Sequence, residues 1–145
     1  MKKSIIDLVA ARVEGEPPII MLYAQGNLDC FTYLDLIDTT RTLYDRGERN
    51  LILNMSQIPV VSRLCGLFAL RSIAMIFSGR QPLNPETGWQ AIHNLAVWDN
   101  SLQQHFKLLR PRLNVEASLK QSGLPIYDSL WAVIASFSHQ KFSRN

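Results

Sequence analysis

One short loop holds the residues whose types and spacing could do chemistry. Residues 62–66 read SRLCG and lie between two apolar segments, LILNM and GLFAL. Within five residues the loop offers the hydroxyl of Ser62, the positive charge of Arg63 and the thiol of Cys65. Loops that follow the carboxyl end of a strand and lead into a helix are where α/β proteins usually keep their function. We therefore treat this loop as the candidate functional site.

The other chemically capable residues form no recognisable catalytic or metal-binding set. The sequence has no Gly-rich phosphate loop, no arguable Ser-His-Asp set and no paired carboxylates in one motif. The three histidines (His93, His105 and His139) are each more than ten residues from the next. Cys30 and Cys65 indicate neither a disulfide framework nor a metal site, so we expect Cys65 to be a buried structural thiol. We expect no enzyme activity, no metal and no cofactor.

Composition narrows the class of protein and its partners. Apolar residues make up 47% of the chain and charged residues 19%, which is typical of a globular domain. A net charge of only +3, spread over scattered basic residues, argues against nucleic acid as a partner. No apolar run approaches the roughly 20 residues of a membrane span, and Asp7 interrupts a segment that imitates a signal peptide. With two cysteines and no disulfide framework, a cytoplasmic location is the simplest prediction.

Alternating strands and helices must position the candidate loop. Apolar residues mixed with charge predict an edge strand over residues 4–13, and IIMLYA and LILNM predict strands covered on both faces. Helical periodicity predicts a helix over residues 31–44, with an apolar side formed by Phe31, Leu34, Ile37 and Leu43. Residues 66–77 predict a second helix that is apolar almost all round and therefore well buried.

The second half of the chain continues this alternation. FKLL predicts a short strand, residues 114–123 a short helix capped by Asn114, and a last amphipathic helix begins near residue 128. The order predicts an α/β domain with a substantially parallel sheet. We expect one domain over residues 1–140 and a short basic tail over residues 141–145.

Two polar residues stand at the ends of predicted strands. Asp29 follows the strand IIMLYA and opens the helix over residues 31–44, where its carboxylate is expected to cap the first turn. Asn54 ends the strand LILNM and is expected to make local hydrogen bonds.

Four segments, taken in order, resemble the STAS domain family, the fold of bacterial anti-sigma-factor antagonists. They are QGNLDCFT, LILNMSQIPVVS, GLFAL and PRLNVEASLKQSGLPIYDSLWAVIASF, which together span about residues 5–138. The first matches the family's Gly-x-Leu-Asp turn at Gly26, Leu28 and Asp29. The second places Asn54 where the family usually has an aspartate. The resemblance implies a mixed sheet of four to five strands covered by about four to five helices.

The same resemblance implies a function. It suggests a non-catalytic bacterial binding module that takes part in partner switching, signal transduction and transcription regulation. Docking of a kinase-type anti-sigma factor, or another regulatory protein, would use the loop and helix over residues 62–71. The residues expected to contact that partner are Asp29, Ser62, Arg63, Leu64, Cys65, Leu67 and Arg71.

The loop departs from the family's phosphorylation motif. In antagonists the partner kinase phosphorylates a serine here, and the added charge breaks the contact. From Asn54 to Gly66 this loop is one residue longer than usual, so Arg63 or Leu64 takes the acceptor position. Ser62 is then the candidate acceptor. Three interpretations stay open. In the first, the domain binds its partner without being phosphorylated. In the second, the phosphorylation switch has moved to Ser62. In the third, the extra residue has destroyed the partner surface, so that the fold serves another role.

An extra segment sets this chain apart from the family pattern. About 20 residues, roughly 81–101, precede the strand FKLL and include Trp89 and Trp98. They predict an added helix that packs on the core or forms a partner or homodimer surface. Together with the apolar helix over residues 66–77, they also motivate an alternative function. In that alternative, the domain binds an apolar small molecule or lipid, or serves a transporter complex.

Overall fold

A mixed β-sheet organises the chain in the computed structural model, which describes residues 5–79 and 104–142, without the side chains of residues 121 and 138–142. Within these residues the sheet has five strands, in the order β1-β2-β3-β4-β5. They are β1 (Asp7–Val13), β2 (Ile19–Gln25), β3 (Leu51–Gln57), β4 (Phe106–Leu109) and β5 (Ile126–Tyr127). β1 runs antiparallel to β2 at the edge, and the other neighbours are parallel. This confirms the predicted mixed α/β sheet.

Four α-helices connect the strands in the described part of the chain. They are α1 (Tyr33–Asp45), α2 (Cys65–Phe77), α3 (Leu113–Leu119) and α4 (Leu130–Phe142), and a 3₁₀ turn, Lys120–Ser122, extends α3. In the described ranges, none of the helices has the length and apolar character needed to cross a bilayer. The extra segment predicted over residues 81–101 lies outside the described residues. α4 extends to Phe142, and the predicted boundary between domain and tail stays a prediction.

The buried strands separate two apolar clusters, one on each face of the sheet. Leu51 and Leu53 point into the larger cluster with α1, α2 and α3, whereas Ile52 between them points into a smaller cluster beneath α4. Alternate side chains of a strand point to opposite faces, so a strand covered on both sides is apolar throughout. All three side chains are fully buried, which confirms the interpretation of LILNM as a covered strand.

Helix α2 is buried on almost every side, as its sequence predicts. Every residue of α2 is buried except Arg71 and Met75. Two edge-to-face aromatic contacts join it to α1: Tyr33 with Phe68, at 6.0 Å between ring centroids, and Tyr44 with Phe77, at 5.4 Å. Such contacts stabilise the pair beyond the apolar area that they bury. They also fix where α2 begins relative to the loop after β2.

The start of α1 differs from the prediction. The helix begins at Tyr33, so Phe31 lies before it and is 75% exposed, and Leu34 is exposed as well. A turn over residues 29–32 precedes the helix and shifts its buried side to Leu36, Ile37, Thr40 and Leu43. The predicted apolar side was therefore wrong for Phe31 and Leu34.

The ends and buried sides of α3 and α4 agree only in part with the prediction. α3 begins at Leu113, and the predicted cap Asn114 instead donates from Nδ2 to the carbonyl of Pro59 at 2.9 Å. Gly123 follows α3 and its 3₁₀ turn with φ of 76°, the left-handed conformation that glycine adopts without steric cost. In α4, Val133 and Phe137 are buried as the amphipathic pattern predicts.

Candidate functional site

The two loops that follow β2 and β3 run side by side at the carboxyl edge of the sheet. The amide of Gly26 donates to the carbonyl of Gln57 at 3.1 Å. The amide of Leu28 donates to Val60 at 2.9 Å, and its carbonyl accepts from Ser62 at 2.9 Å. The parallel pairing of β2 with β3 therefore continues beyond the strands themselves. Leu28, which is fully buried, anchors the first loop against the second.

Hydrogen bonds close the first loop into a tight turn. The Asp29 carboxylate accepts from the amide of Phe31 at 2.9 Å, an Asx turn, so Asp29 does not cap α1 as predicted. The Thr32 hydroxyl donates to the carbonyl of Asn27 at 2.8 Å and accepts from the amide of Asp29 at 3.0 Å. Thr32 is fully buried. This turn leaves Phe31 on the outer side. The sequence signal of the turn is Asp29 followed three residues later by Thr32, and the prediction of a helix from residue 31 overlooked it.

Ser62 holds the start of α2. Its Oγ accepts a hydrogen bond from the amide of Gly66 at 2.8 Å, and its side chain is half-buried. One otherwise unpaired donor of the first helical turn is thereby satisfied. The atom that would carry a phosphoryl group is therefore the atom that binds this amide. Ser62 as a phosphorylation site stays a prediction.

Gly66 allows α2 to approach the first loop closely. A Cβ at this position would lie 2.6 Å from Cγ1 of Val61 and 3.1 Å from the carbonyl oxygen of Leu28. The first distance is shorter than real Cβ atoms show, so any larger residue at position 66 would clash with Val61. The helix start, the loop after β3 and the loop after β2 consequently form one packed unit.

A disulfide bond joins the two loops, which corrects the prediction of a free thiol and removes the cysteine argument for a cytoplasmic location. Cys30 and Cys65 are 35 residues apart in sequence, and their Cα atoms are 5.0 Å apart. That separation is typical of disulfides. Cys65 is the first residue of α2 and is buried, whereas Cys30 is exposed. Two cysteines so far apart in sequence become neighbours through the parallel pairing of β2 and β3, which residue counting does not reveal.

Exposed apolar side chains surround these loops. We call them the apolar rim: Phe31, Val60, Leu64 and Leu113. Phe31 and Leu64 are the sequence neighbours of Cys30 and Cys65, which are bonded to each other. Leu113 and Val60 are the sequence neighbours of Asn114 and Pro59, which share a hydrogen bond. Of these four residues, sequence reasoning predicted only Leu64 as part of the site.

The predicted contact residues fall into two groups. The rim and its loops bring together Asp29, Ser62, Arg63, Leu64 and Cys65, of which Arg63 and Leu64 are exposed. By contrast, Leu67 is buried in the larger apolar cluster. Arg71 is half-buried farther along α2, and burial lowers the pKa of its guanidinium. The part of each residue in docking stays a prediction.

Polar residues elsewhere have structural partners. Asn54 makes the predicted local hydrogen bonds, since its Oδ1 accepts from the amide of Ser56 at 3.0 Å and from its hydroxyl at 2.8 Å. Lys107 of β4 is buried beneath α4, donates to the Ser136 hydroxyl at 2.9 Å and lies 4.3 Å from the Phe137 ring centroid. Burial lowers the pKa of Lys107 to about 8. In residues 5–79 and 104–142, no three or more of His, Cys, Asp and Glu lie close enough to hold a metal ion.

Comparison with known proteins identifies the fold. No family model matches this sequence, and no curated protein matches it. Among solved structures, the chain is similar to an anti-sigma factor antagonist from Mycobacterium paratuberculosis, with a TM-score of 0.61 and 14% sequence identity. The match covers 92% of this chain and 95% of that chain. The chain thus has the STAS-like fold of an anti-sigma factor antagonist, as its motifs imply, and at this identity the likeness concerns the fold alone.

Proposed function

We propose that this protein is a non-catalytic regulatory module that binds a protein partner through the apolar rim and the adjoining Arg63. The proposed partner is a kinase-type anti-sigma factor or a related regulator, met in the cytoplasm. The observation that carries the proposal is the set of exposed apolar side chains around the loops of the site, of which Phe31 lies on a hydrogen-bonded turn. Large apolar side chains that are exposed together are typical of protein interfaces.

The geometry of the rim suits docking because little order has to be gained on binding. Phe31 lies on a turn that the hydrogen bonds of Asp29 and Thr32 already fix. An anchor held in place before association saves part of the entropy cost of binding. Aromatic residues are also common among those that dominate binding energy. Arg63, exposed between Ser62 and Leu64, adds a positive charge that favours an acidic partner surface.

The loop geometry favours a docking module without phosphorylation at the usual position. Arg63 and Leu64 occupy that position under either alignment, and neither has a hydroxyl. The Ser62 hydroxyl is engaged with the amide of Gly66, and a kinase would have to break that contact. The close packing of Gly66 against Val61 argues against a surface destroyed by the extra residue.

Affinity capture tests the proposed partner class. Wild-type protein and Arg63→Glu are used as baits in native cytosol, and the retained proteins are identified by mass spectrometry. We expect a kinase-type anti-sigma factor or sigma regulator to be retained by the wild type and lost by the variant, because the charge beside the rim is reversed. Recovery of the same regulator by both baits would contradict the assignment of the surface.

A kinase assay tests the phosphorylation part of the proposal separately. The protein is incubated with the captured kinase and ATP, and phosphosites are mapped by mass spectrometry. We expect no stoichiometric phosphate on residues 56–66. Full occupancy at Ser62 would show that the switch moved by one or two residues instead of being lost.

The alternative of an apolar small molecule, lipid or transporter role has weaker support. One cavity at the ends of β1, β2 and β3 has a volume of about 110 Å³ and is lined in part by Asp7, Tyr23 and Asn54. Ligand pockets usually have volumes of about 300–1,000 Å³, so this cavity is small for a ligand. Native mass spectrometry of the purified protein would reveal a retained apolar ligand and so favour the alternative.

A further inference from the structure

The disulfide is the outermost link between the two loops of the site. In the described ranges, backbone hydrogen bonds between these loops end with the bond from Ser62 to Leu28. The next connection outward is the Cys30–Cys65 bond. Phe31 follows Cys30 directly, and Leu64 precedes Cys65 directly. The bond therefore fixes two side chains of the apolar rim relative to each other.

The two cysteines differ in exposure and in electrostatic environment. Cys30 is an exposed residue on its turn, whereas Cys65 is buried, so attack by a thiol from solution is expected at Cys30. Attack on Cys30 leaves the negative charge on the Cys65 sulfur, which lies at the first residue of the 13-residue helix α2. The helix dipole stabilises an anion at that end of a helix. A stabilised leaving thiolate speeds thiol–disulfide exchange.

The fold does not depend on this bond for its core. The hydrogen bonds of Thr32 and the buried contact of Leu28 hold the first loop independently. Helix α2 is anchored by side chains such as Phe68 and Ile73 in the larger apolar cluster. Breaking the disulfide should therefore loosen the rim and leave the domain folded.

From these observations we infer that Cys30 and Cys65 form a redox-responsive modification site that controls the docking surface. The closed bond holds the rim ready for a partner, and reduction weakens docking. This inference rests on the proposed function, because it names the regulation of the same surface. In a reducing compartment, disulfides are usually transient and redox-sensing, which fits a bond placed at a binding site rather than within the core.

A dithiol can reduce the Cys30–Cys65 disulfide by thiol–disulfide exchange. One thiolate of the dithiol attacks the Cys30 sulfur, forms a mixed disulfide and passes the electron pair of the broken S–S bond to Cys65. The second thiolate of the dithiol then displaces Cys30, and the dithiol leaves as a disulfide. Two electrons reach the protein, and each cysteine takes up one proton that the dithiol has released. A small-molecule disulfide reverses the reaction.

The first experiment examines the protein without a partner. Wild-type protein is equilibrated with dithiothreitol or with glutathione disulfide, alkylated to count free thiols, and analysed by circular dichroism and hydrogen–deuterium exchange. We expect both forms to be folded, with faster exchange over residues 26–33 and 60–67 after reduction. Unchanged exchange in a form with two free thiols would overturn the inference, and so would loss of the fold on reduction.

The second experiment measures binding in both redox forms. The probe is a purified kinase-type anti-sigma factor from the same genome, chosen by affinity capture with the oxidised protein. We expect reduction to weaken binding about tenfold, because about two interface side chains would then lose conformational freedom on binding. The double variant Cys30→Ser/Cys65→Ala should bind like the reduced wild type and should not respond to dithiothreitol.

The outcomes separate this inference from the proposed function. Equal affinity of the oxidised and reduced forms would contradict the redox inference and leave the docking proposal intact. Failure of the oxidised protein to capture any anti-sigma factor would contradict the docking proposal, and the inference with it. Because the wild type is compared with itself, a folding defect of the double variant does not affect this result.

Discussion

The carboxyl edge of the sheet and the outer side of α4 both expose a large aromatic residue, but they hold it differently. Phe31 is 75% exposed on a turn that Asp29 and Thr32 close and that Cys30 bonds to α2. Trp131 is 82% exposed near the start of α4, a helix whose other side is already buried. Leu130, directly before Trp131, is 40% exposed as well, and scattered exposed apolar residues are ordinary on protein surfaces. A turn closed by hydrogen bonds and a cross-link, rather than exposure, therefore distinguishes the candidate interface.

Reduction of the disulfide should have the largest effect on stability at the carboxyl edge. Opening a cross-link between residues 35 apart should lower the free energy of unfolding by about 3–4 kcal/mol, because the unfolded chain gains conformational entropy. Urea unfolding with and without dithiothreitol measures the loss. The double variant Cys30→Ser/Cys65→Ala is the control and should not respond to the reductant. A wild type equally stable in both conditions would show that the bond contributes little.

Thr32→Val should have the next largest effect on stability. The substitution keeps the shape of the side chain but removes the hydroxyl that serves the amide of Asp29 and the carbonyl of Asn27. Leaving such partly buried groups unpaired should cost about 1 kcal/mol, toward the low end of the usual range. Thr42→Val is the matched control, because that exposed hydroxyl bonds only to the Asp38 carbonyl within α1. Equal losses in the two variants, measured by urea unfolding, would contradict the special role of the turn.

Phe31→Ala should weaken partner binding much more than Trp131→Ala does. Truncating an interface anchor typically costs more than 1 kcal/mol, so Phe31→Ala should weaken partner binding about tenfold or more. Trp131→Ala should change the Kd less than about twofold, because surface substitutions outside an interface are nearly neutral. Isothermal titration calorimetry with the captured regulator measures both. A larger loss for Trp131→Ala would place the interface on α4.

The last expected effect, a pH dependence, lies away from both exposed aromatic residues, beneath α4. The pKa of Lys107 is lowered to about 8 in the folded protein, from an ordinary value of 10.5. Between these values the unfolded chain binds more protons than the folded one, so stability should rise with pH. Lys107→Met should lack this rise. Urea unfolding of both proteins from pH 7 to pH 10 measures the difference, and a constant difference would contradict the lowered pKa.

Much of the fold could be predicted because its signals are local in sequence. Continuous apolar runs identified β2 and β3, Gly123 marked the end of the α3 region, and the spacing of Val133 and Phe137 identified the buried side of α4. These features depend on periodicity and on backbone conformation, which a single segment encodes. The order of such segments was enough to indicate the fold family.

The details of the site could be predicted less well, because they arise from pairing between distant segments. Cys30 meets Cys65 only when β2 and β3 align in parallel, and Asn114 reaches Pro59 only in the folded domain. Phe31 follows a helical pattern in sequence, yet the Asx turn of Asp29 delays the helix and leaves Phe31 outside it. The loop at residues 62–66 was identified correctly as a strand-to-helix connection, but its cross-link was not.

Hydrogen–deuterium exchange with and without the bound regulator tests the central claim most directly, because it compares both regions in one experiment. The oxidised protein is measured free and saturated with the purified anti-sigma factor. If the apolar rim is the docking surface, the partner will slow exchange over residues 26–33 and 58–66 and leave residues 126–137 unchanged. Protection confined to residues 126–137, with the rim unchanged, would contradict the account.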